Sequence, residues 1–528
     1  MRVFWFLSIL LVATSFISEP AQAQEPVDWE MVAKIREEGF QRSQVMDMVG
    51  YMADVLGPRL TASPSMRRAQ EWAQEKMWDV GLENVALERA GPHGVNWDNE
   101  YVSVHMMAPD YQPLIAYAKA FTAGTDGRVE AEAVIVNPRT RGDLAPYRGT
   151  LNGKIALVGE LTPTEPEFTP DARRMSAEDL AAMSRTSVGQ DDNRTVTLTM
   201  AQLNALREGA REEEEPLSPA ELHEFLKDEG VALVVDIGTG RGDEGTVYVG
   251  SRYDSRADRS YEAVMNSLPE VVLATEHYNR IYRILERGVP VRLEAEVRNV
   301  VDDSDPWYYN VVGEIPGTDL ADEIVILGGH YDSWHGGTGA VDNASGSAVA
   351  LEAARILKAL GVEPRRTIRV AFWSYEEGGL NGSREYVRAH FGSPEEGTKP
   401  AYDKLSGYFN MDNGTGQFRG IYLQENLLVA PIFEAWMEPL NDLGVSTLAP
   451  GNTSGTDHLS FNRAGLNGWQ FIQDPIDYFP NRHHTNMDTV DGLVPADMMI
   501  NAVVMATFAY HAAMRDELLP RKAASAGR

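Results

Sequence analysis

A chain of 528 residues is too long for one ordinary domain, and its 43% hydrophobic content is ample for packed cores, so two or three domains are expected. Its 47 basic and 78 acidic residues leave a net charge of −31, which serves solubility and argues against nucleic acid or anionic membranes as partners. With no cysteine, disulfides, lipid-modified cysteine anchors and cysteine zinc sites are excluded.

The chain begins Met1-Arg2, is almost wholly apolar over residues 3–17, and reaches Ala21-Gln22-Ala23 before Gln24. A charged start, a short apolar core and an Ala-x-Ala site predict a secretory signal peptide over residues 1–23, cleaved near Ala23. The apolar run is too short and wrongly flanked for stable insertion in a membrane. Export without disulfides suits a bacterial periplasm or secretion into the medium.

Residues 24–116 have the α/β character of the first part of a catalytic domain. Over 29–56 apolar residues recur at helical spacing, through Met31, Ile35 and Phe40 and then Val45, Met48, Val49 and Met52, with Gly39 between the two pieces. Gly57-Pro58-Arg59-Leu60-Thr61 predicts a loop, Ser63-Pro64-Ser65 opens the next helix, and Gly81 ends it. Strands are expected over 85–88 and 101–106.

Over residues 117–291 the texture changes to short β-like runs at 131–136, 154–158 and 231–236, bounded by glycines, as in an inserted β-rich domain. Inside it lies an acidic insertion, 162–224, which includes the run Glu212-Glu213-Glu214-Glu215. One or two exposed helices are expected there, with the charge run a solvated face.

Residues 292–515 return to strand–helix alternation and predict the second part of the catalytic domain, followed by a tail over 516–528. Strands are expected over 308–314, 323–328, 367–373, 406–411 and 468–472. Helices are expected over 345–360, 382–390, 427–443 and 495–514. In the first of these helices Glu352, Arg355 and Lys358 mark a solvated side.

The chemistry gathers at the ends of these strands. The apolar run Ile324-Val-Ile-Leu327 stops at two glycines, and His330 and Asp332 follow; a glycine-rich loop then leads to Asp342-Asn343 before a helix. A second strand ends in Glu376-Glu377-Gly378-Gly379, a third in Asp412-Asn413-Gly414, and near the end stands His483-His484. Open α/β sheets place their sites at such strand ends. Carboxylates repeated where buried strands meet glycine are costly unless something compensates them, and four such ends favour a cation.

The proposed ligands are His330, Asp342, Glu377, Asp412 and His484. Nitrogen and oxygen donors without sulfur fit zinc, with cobalt or manganese as weaker fits. Two histidines and three carboxylates suit two metals roughly 3.5–4 Å apart. Asp342 would bridge, His330 and Asp412 would complete one ion, and Glu377 and His484 the other. Asp332 is expected to accept the other N–H of His330. Glu376, left unligated, is the candidate general acid–base. His335 and His483 read as bystanders. Asp457 and His458 are candidates for substrate contact, with a structural loop as the alternative.

His330-Tyr-Asp332, Asp342-Asn-Ala-Ser-Gly346, Glu376-Glu377, Met411-Asp412 and His484-Thr-x-x-Asp488-Thr resemble the motif series of the di-zinc exopeptidases. That family includes bacterial aminopeptidases and the plasma glutamate carboxypeptidase (carboxypeptidase Q) group. Gly57-Pro-Arg-Leu-Thr-x-Ser63 is similar to the family's early loop, and the middle segment resembles the protease-associated domain that several members carry. The resemblance implies a three-layer α/β/α domain with a mixed central sheet, two zinc ions, Glu376 as base, cleavage at a chain end, and homodimers. It also implies a tyrosine that polarises the scissile carbonyl, for which Tyr478 is the candidate.

The first functional expectation is therefore hydrolysis at the N-terminus of short peptides, or of dipeptides. A carboxypeptidase of the glutamate carboxypeptidase type is the alternative; it needs a cationic clamp, for which Arg463 and Arg482 are the nearby candidates. A binding protein on a dead scaffold is disfavoured because every ligand position and the base are filled. Glutaminyl cyclisation on a one-metal scaffold fits the paired Glu376-Glu377 and Asp412 less well.

Overall fold

In the computed structural model the described residues are 25–164, 166, 168–186, 216–238, 245–250, 258–414 and 416–522. The expected signal peptide and the run Glu212–215 lie outside them.

The apolar run 324–327 becomes the middle of the strand Leu320–His330, near the centre of an eight-stranded sheet. The strand order is Glu83–Pro92, Trp307–Ile315, Arg366–Trp373, Leu320–His330, Leu405–Asn410, Gly468–Gln473, Phe418–Tyr422 and Thr447–Ala449. Leu320–His330 runs parallel to Arg366–Trp373 and to Leu405–Asn410, which is parallel to Gly468–Gln473. Trp307–Ile315 is antiparallel to both its neighbours, so the sheet is mixed.

Side chains alternate between two cores, as the two-residue period of a strand requires. Val325, Leu327, Ile368, Val370, Phe372 and Phe409 face a core built with the helices Trp29–Gln41, Pro64–Asp79, Ser345–Ala359 and Pro495–Met514. Ile326, Ala371, Trp373 and Tyr408 face the other, under the helices Asn381–His390 and His458–Arg463. With each such side chain contributing about 1.5–3 kcal/mol on burial, both faces must be covered. The result is the expected three-layer α/β/α arrangement.

The expectation for helix Ser345–Ala359 needs correction. Glu352 and Arg355 are buried, not solvated; only Lys358 reaches water. Arg355 pairs with Glu352 at 2.7 Å and with Glu38 of the first helix at 2.8 Å. The N-terminal helices cover this face, and the buried charges neutralise one another.

The domain limits also move. The second eight-stranded sheet has the order Gln112–Pro113, Asn96–Ala108, Arg292–Asp302, Val129–Val136, Ile155–Val158, Leu233–Ile237, Glu270–Leu273 and Ala116–Ala118. Asn96–Ala108 and Arg292–Asp302, expected in the catalytic parts 24–116 and 292–515, pair antiparallel with each other along most of their length. The sheet of the inserted module therefore takes in strands on both sides of the expected limits 117 and 291. Nor is it β-rich alone: helix Thr275–Glu286 packs Tyr278 and Ile281 onto its sheet.

The acidic insertion forms two helices among its described residues, Ala177–Ser184 and Pro219–Asp228, the second running beyond its expected limit. Each opens with a capping box, Ser176 with Asp179 and Ser218 with Glu221. The first is tied to the catalytic domain. Leu180 packs on Ala449 and Ile472, and Arg174 lies 2.9 Å from Asp474 and 2.8 Å from Asp497, both buried. At the C-terminus Leu519, expected in the tail, is buried in the main core, and Asn467 donates to its carbonyl at 3.2 Å.

Candidate metal centre

Parallel pairing brings the carboxyl ends of four strands to one sheet edge. His330 pairs in register with Trp373, and Asn410 with Gln470. His330 is the last residue of its strand; Glu376 and Glu377 follow Trp373, and Asp412 follows Asn410. Asp342 comes from the turn before helix Ser345–Ala359, where it leaves helical φ/ψ after Gly339 at φ 65°. His484 arrives from a loop and adopts φ 60°.

The five expected ligands converge. His330 Nε2 lies 3.1 Å from Asp342 Oδ1 and 3.4 Å from Asp412 Oδ1. His484 Nε2 lies 2.9 Å from Glu377 Oε2 and 3.5 Å from Asp342 Oδ2. Asp342 thus turns one oxygen to each histidine. Glu376 stands beside the group, with Oε2 4.0 Å from His330 Nε2.

The electrostatics of the cluster call for a cation. Burial, reinforced by Asp412 and Asp457, pushes the carboxyl of Glu376 well above the usual range, and burial with Asp342 does the same to Glu377. Burial opposes a charge on His330, yet Asp412 and Glu376 hold its pKa well above the ordinary histidine value. Asp342 Oδ2 and Glu377 Oε1 are buried and accept no hydrogen bond among the described residues. Carboxylate oxygens gathered with histidine nitrogens, two of those oxygens left without a donor and no sulfur in the set, fit a divalent ion of the zinc type.

Supporting contacts fix the loops. Arg59, fully buried, donates to the carbonyls of Tyr331, Thr338 and Gly339, holding the loops that follow His330 and precede Asp342. Asn343 donates to the Met411 carbonyl at 2.8 Å, joining the Asp342 turn to the Asp412 strand end. Asp488, the last acid of the quoted motifs, accepts the Val341 N–H at 2.6 Å.

Asp332 departs from expectation. It is the Asp332 main-chain carbonyl that sits 2.9 Å from His330 Nδ1; the nearest carboxylate oxygen is 3.7 Å away. The carboxylate instead accepts from Thr61 Oγ1 at 2.6 Å and from the Glu376 N–H at 3.2 Å. The short span from residue 330 to 332 brings the carbonyl, not the side chain, under the ring.

A cavity of about 370 Å³ opens over the cluster. Tyr478 lines it, as do Asn413, Ser454, Gly455, Leu459, Arg463 and His483. Asp457 and His458, expected at the substrate, are fully buried and do not line it. Asp457 accepts a short hydrogen bond from Ser383, and His458 Nε2 lies 3.0 Å from Gln424 Nε2, so packing of helix His458–Arg463 claims both. His335 is half-buried with Nε2 2.7 Å from the Ala118 carbonyl of the second sheet. His483, read as a bystander, stacks on His484 at 3.6 Å and has a ring nitrogen that groups with Asp342 and His484 within 4.8 Å.

One neighbour left no trace in the sequence. Tyr248 of the inserted module places its hydroxyl 3.1 Å from His484 Nδ1, across 236 residues of chain. No local pattern marks it.

Residues 310–509 match the model of Peptidase family M28. Carboxypeptidase Q of Mus musculus is 25% identical over 505 residues, covering 94% of this chain and 92% of the relative. Carboxypeptidase Q of Homo sapiens is 23% identical, covering 92% and 88%. A peptidase M28 precursor from Shewanella amazonensis superposes with a TM-score of 0.63 at 24% identity, covering 94% and 98%. A zinc aminopeptidase from Bacillus subtilis does so with 0.55 at 17%, covering 90% and 95%. These likenesses bear out the motif resemblance and the fold.

Proposed function

Taking the chain as a zinc metallo-exopeptidase related to the carboxypeptidase Q group, we propose that it hydrolyses short peptides or dipeptides at a chain end, with two zinc ions per chain. The observation that supports this most is the placement of Asp342, one oxygen toward each histidine, which suits a bridge between two ions. His330 and Asp412 would hold one ion, Glu377 and His484 the other. When bound, the pair supplies Lewis acidity and an activated water. Glu376 is the carboxylate left to take a proton from the attacking water and return it to the leaving amine. Asp332 holds the Glu376 backbone from beneath. Tyr478 lines the cavity where a scissile carbonyl would lie. We read the inserted module as protease-associated in type, the chain as exported after cleavage near Ala23, and the assembly as a homodimer. No described helix is long and apolar enough to cross a membrane.

The end of the substrate that is read turns on charge. Arg482 is held by Asp477 at 2.9 Å and by the Met487 carbonyl, and does not line the cavity. Arg463 does line it and forms no ion pair among the described residues. It stands four residues after Leu459 on one helix face, and both residues line the cavity. A cation there favours a substrate with a free carboxylate near the scissile bond, as in a dipeptide or in C-terminal cleavage.

Metal analysis of the purified protein tests the first reading: close to two zinc per chain is expected, and an active protein without metal refutes it. A panel of amino-acid amides, N-blocked peptides and dipeptides tests the second. Arg463→Gln should raise KM for substrates with a free carboxylate and leave amides unchanged; equal effects on both refute the clamp.

A further inference from the structure

Among the described residues, 245–250 carry the inserted module to the metal centre. Val247 and Val249 are buried in the module with Val272 and Ala274, so the segment is anchored at its base. Between them Tyr248 forms an antiparallel bridge with Thr485, next to His484. The Val249 N–H donates to the His484 carbonyl at 2.8 Å, and the Val247 N–H to Asn486 Oδ1 at 2.6 Å. The backbone on both sides of His484 is thus clamped to the module rather than to the catalytic domain alone.

His484 Nε2 faces Glu377 and Asp342, so its lone pair is available there only when the ring proton sits on Nδ1. That proton needs an acceptor. At the other histidine a main-chain carbonyl of the same domain, that of Asp332, serves His330 Nδ1. At His484 the Tyr248 hydroxyl lies 3.1 Å from Nδ1, with ring centroids 5.6 Å apart.

We propose that Tyr248 is a positioning residue through which the inserted module holds His484 in its metal-binding tautomer and orientation. The proposal rests on the reading of His484 as a ligand. It makes the module part of the metal centre, and it makes the two ions unequal, since the Tyr248 contact acts on the one held by His484.

The test is metal retention in the full chain. Tyr248→Phe keeps the ring and removes only the acceptor; Tyr101→Phe, at another partly exposed tyrosine of the same module, is the control. Both variants and the wild type are loaded with zinc, dialysed against graded chelator and analysed for metal. Loss of such a partner to a ligating histidine typically lowers metal affinity about 10–100-fold. Tyr248→Phe should therefore release one equivalent at about 10–100-fold lower chelator while the second leaves as in wild type, with unfolding of the metal-free proteins unchanged. Wild-type retention of both equivalents by Tyr248→Phe overturns this proposal alone. A wild-type chain that binds no zinc overturns the reading of the site and this proposal with it.

Discussion

Two residues show how far single side chains decide the site. Glu376 stands beside the proposed ligands, 4.0 Å from His330 Nε2, without being one of them, so Glu376→Gln should keep the metals and lower turnover by about 10²–10⁴-fold. Metal analysis beside a peptide assay separates that outcome from general loss of the site. Arg59 acts differently: it is fully buried and hydrogen-bonded almost wholly to main-chain carbonyls. Arg59→Leu would remove its donors from those carbonyls, at about 1–3 kcal/mol for each that is left buried and unpaired; Gly339 would keep the Ala344 N–H. A large fall in the thermal midpoint is expected, and an unchanged midpoint would show that the loops close without it. The arginine was visible in the sequence as part of the Gly57–Ser63 motif, but only as a residue in a loop. Its work depends on carbonyls of Tyr331, Thr338 and Gly339, which no spacing reveals.

At the scale of elements, the helix start and the strand end that carry Asp342 and Asp412 are packed with no room to spare. An added methyl at Gly346 would overlap the Met411 carbonyl oxygen and the Asn343 amide. Gly346→Ala should push helix Ser345–Ala359 away from the end of strand Leu405–Asn410, separate two ligands, and lower both metal content and thermal midpoint. Gly50 is the contrasting case, in a helix with nothing within 4 Å of an added methyl. Gly50→Ala should be neutral or stabilising by about 0.5–1 kcal/mol, because alanine loses less chain entropy in a helix. If the two alanine variants unfold alike, the packing argument fails. Elements of this kind were largely legible: helix Pro495–Met514 lies where its periodicity placed it, and strand Gly468–Gln473 within one residue. Helix Thr275–Glu286 and strand Glu270–Leu273 were missed, their stretch having been read as β-like texture without a definite element.

For the molecule as a whole, the metal reading predicts that stability and loading are linked. Five buried or half-buried ligands that converge without a cation repel or compete for protons, so a bound ion stabilises only the folded chain. Chelation should lower the thermal midpoint and zinc should restore it; free metal at a thousand times its dissociation constant contributes about 4 kcal/mol per site. An unchanged midpoint in chelator, with metal shown to be gone, would mean that the fold tolerates the bare cluster. The inserted module enters the same balance through its clamp on the His484 loop.

By itself the sequence determined the types and order of the proposed ligands and the alternation of strand and helix, because each of these is written in spacings of a few residues. Apolar runs such as 324–327 specify buried strands, and a histidine or acid directly after one lands at a sheet edge whatever the rest of the chain does. Only the tertiary structure decided which sheet Asn96–Ala108 and Arg292–Asp302 join, that Glu352 and Arg355 are buried with Glu38, that Asp457 and His458 face inward, and that Tyr248 meets His484. Those outcomes depend on partners tens to hundreds of residues away, and their energy resides in pairings and desolvation that exist only once the two modules are packed.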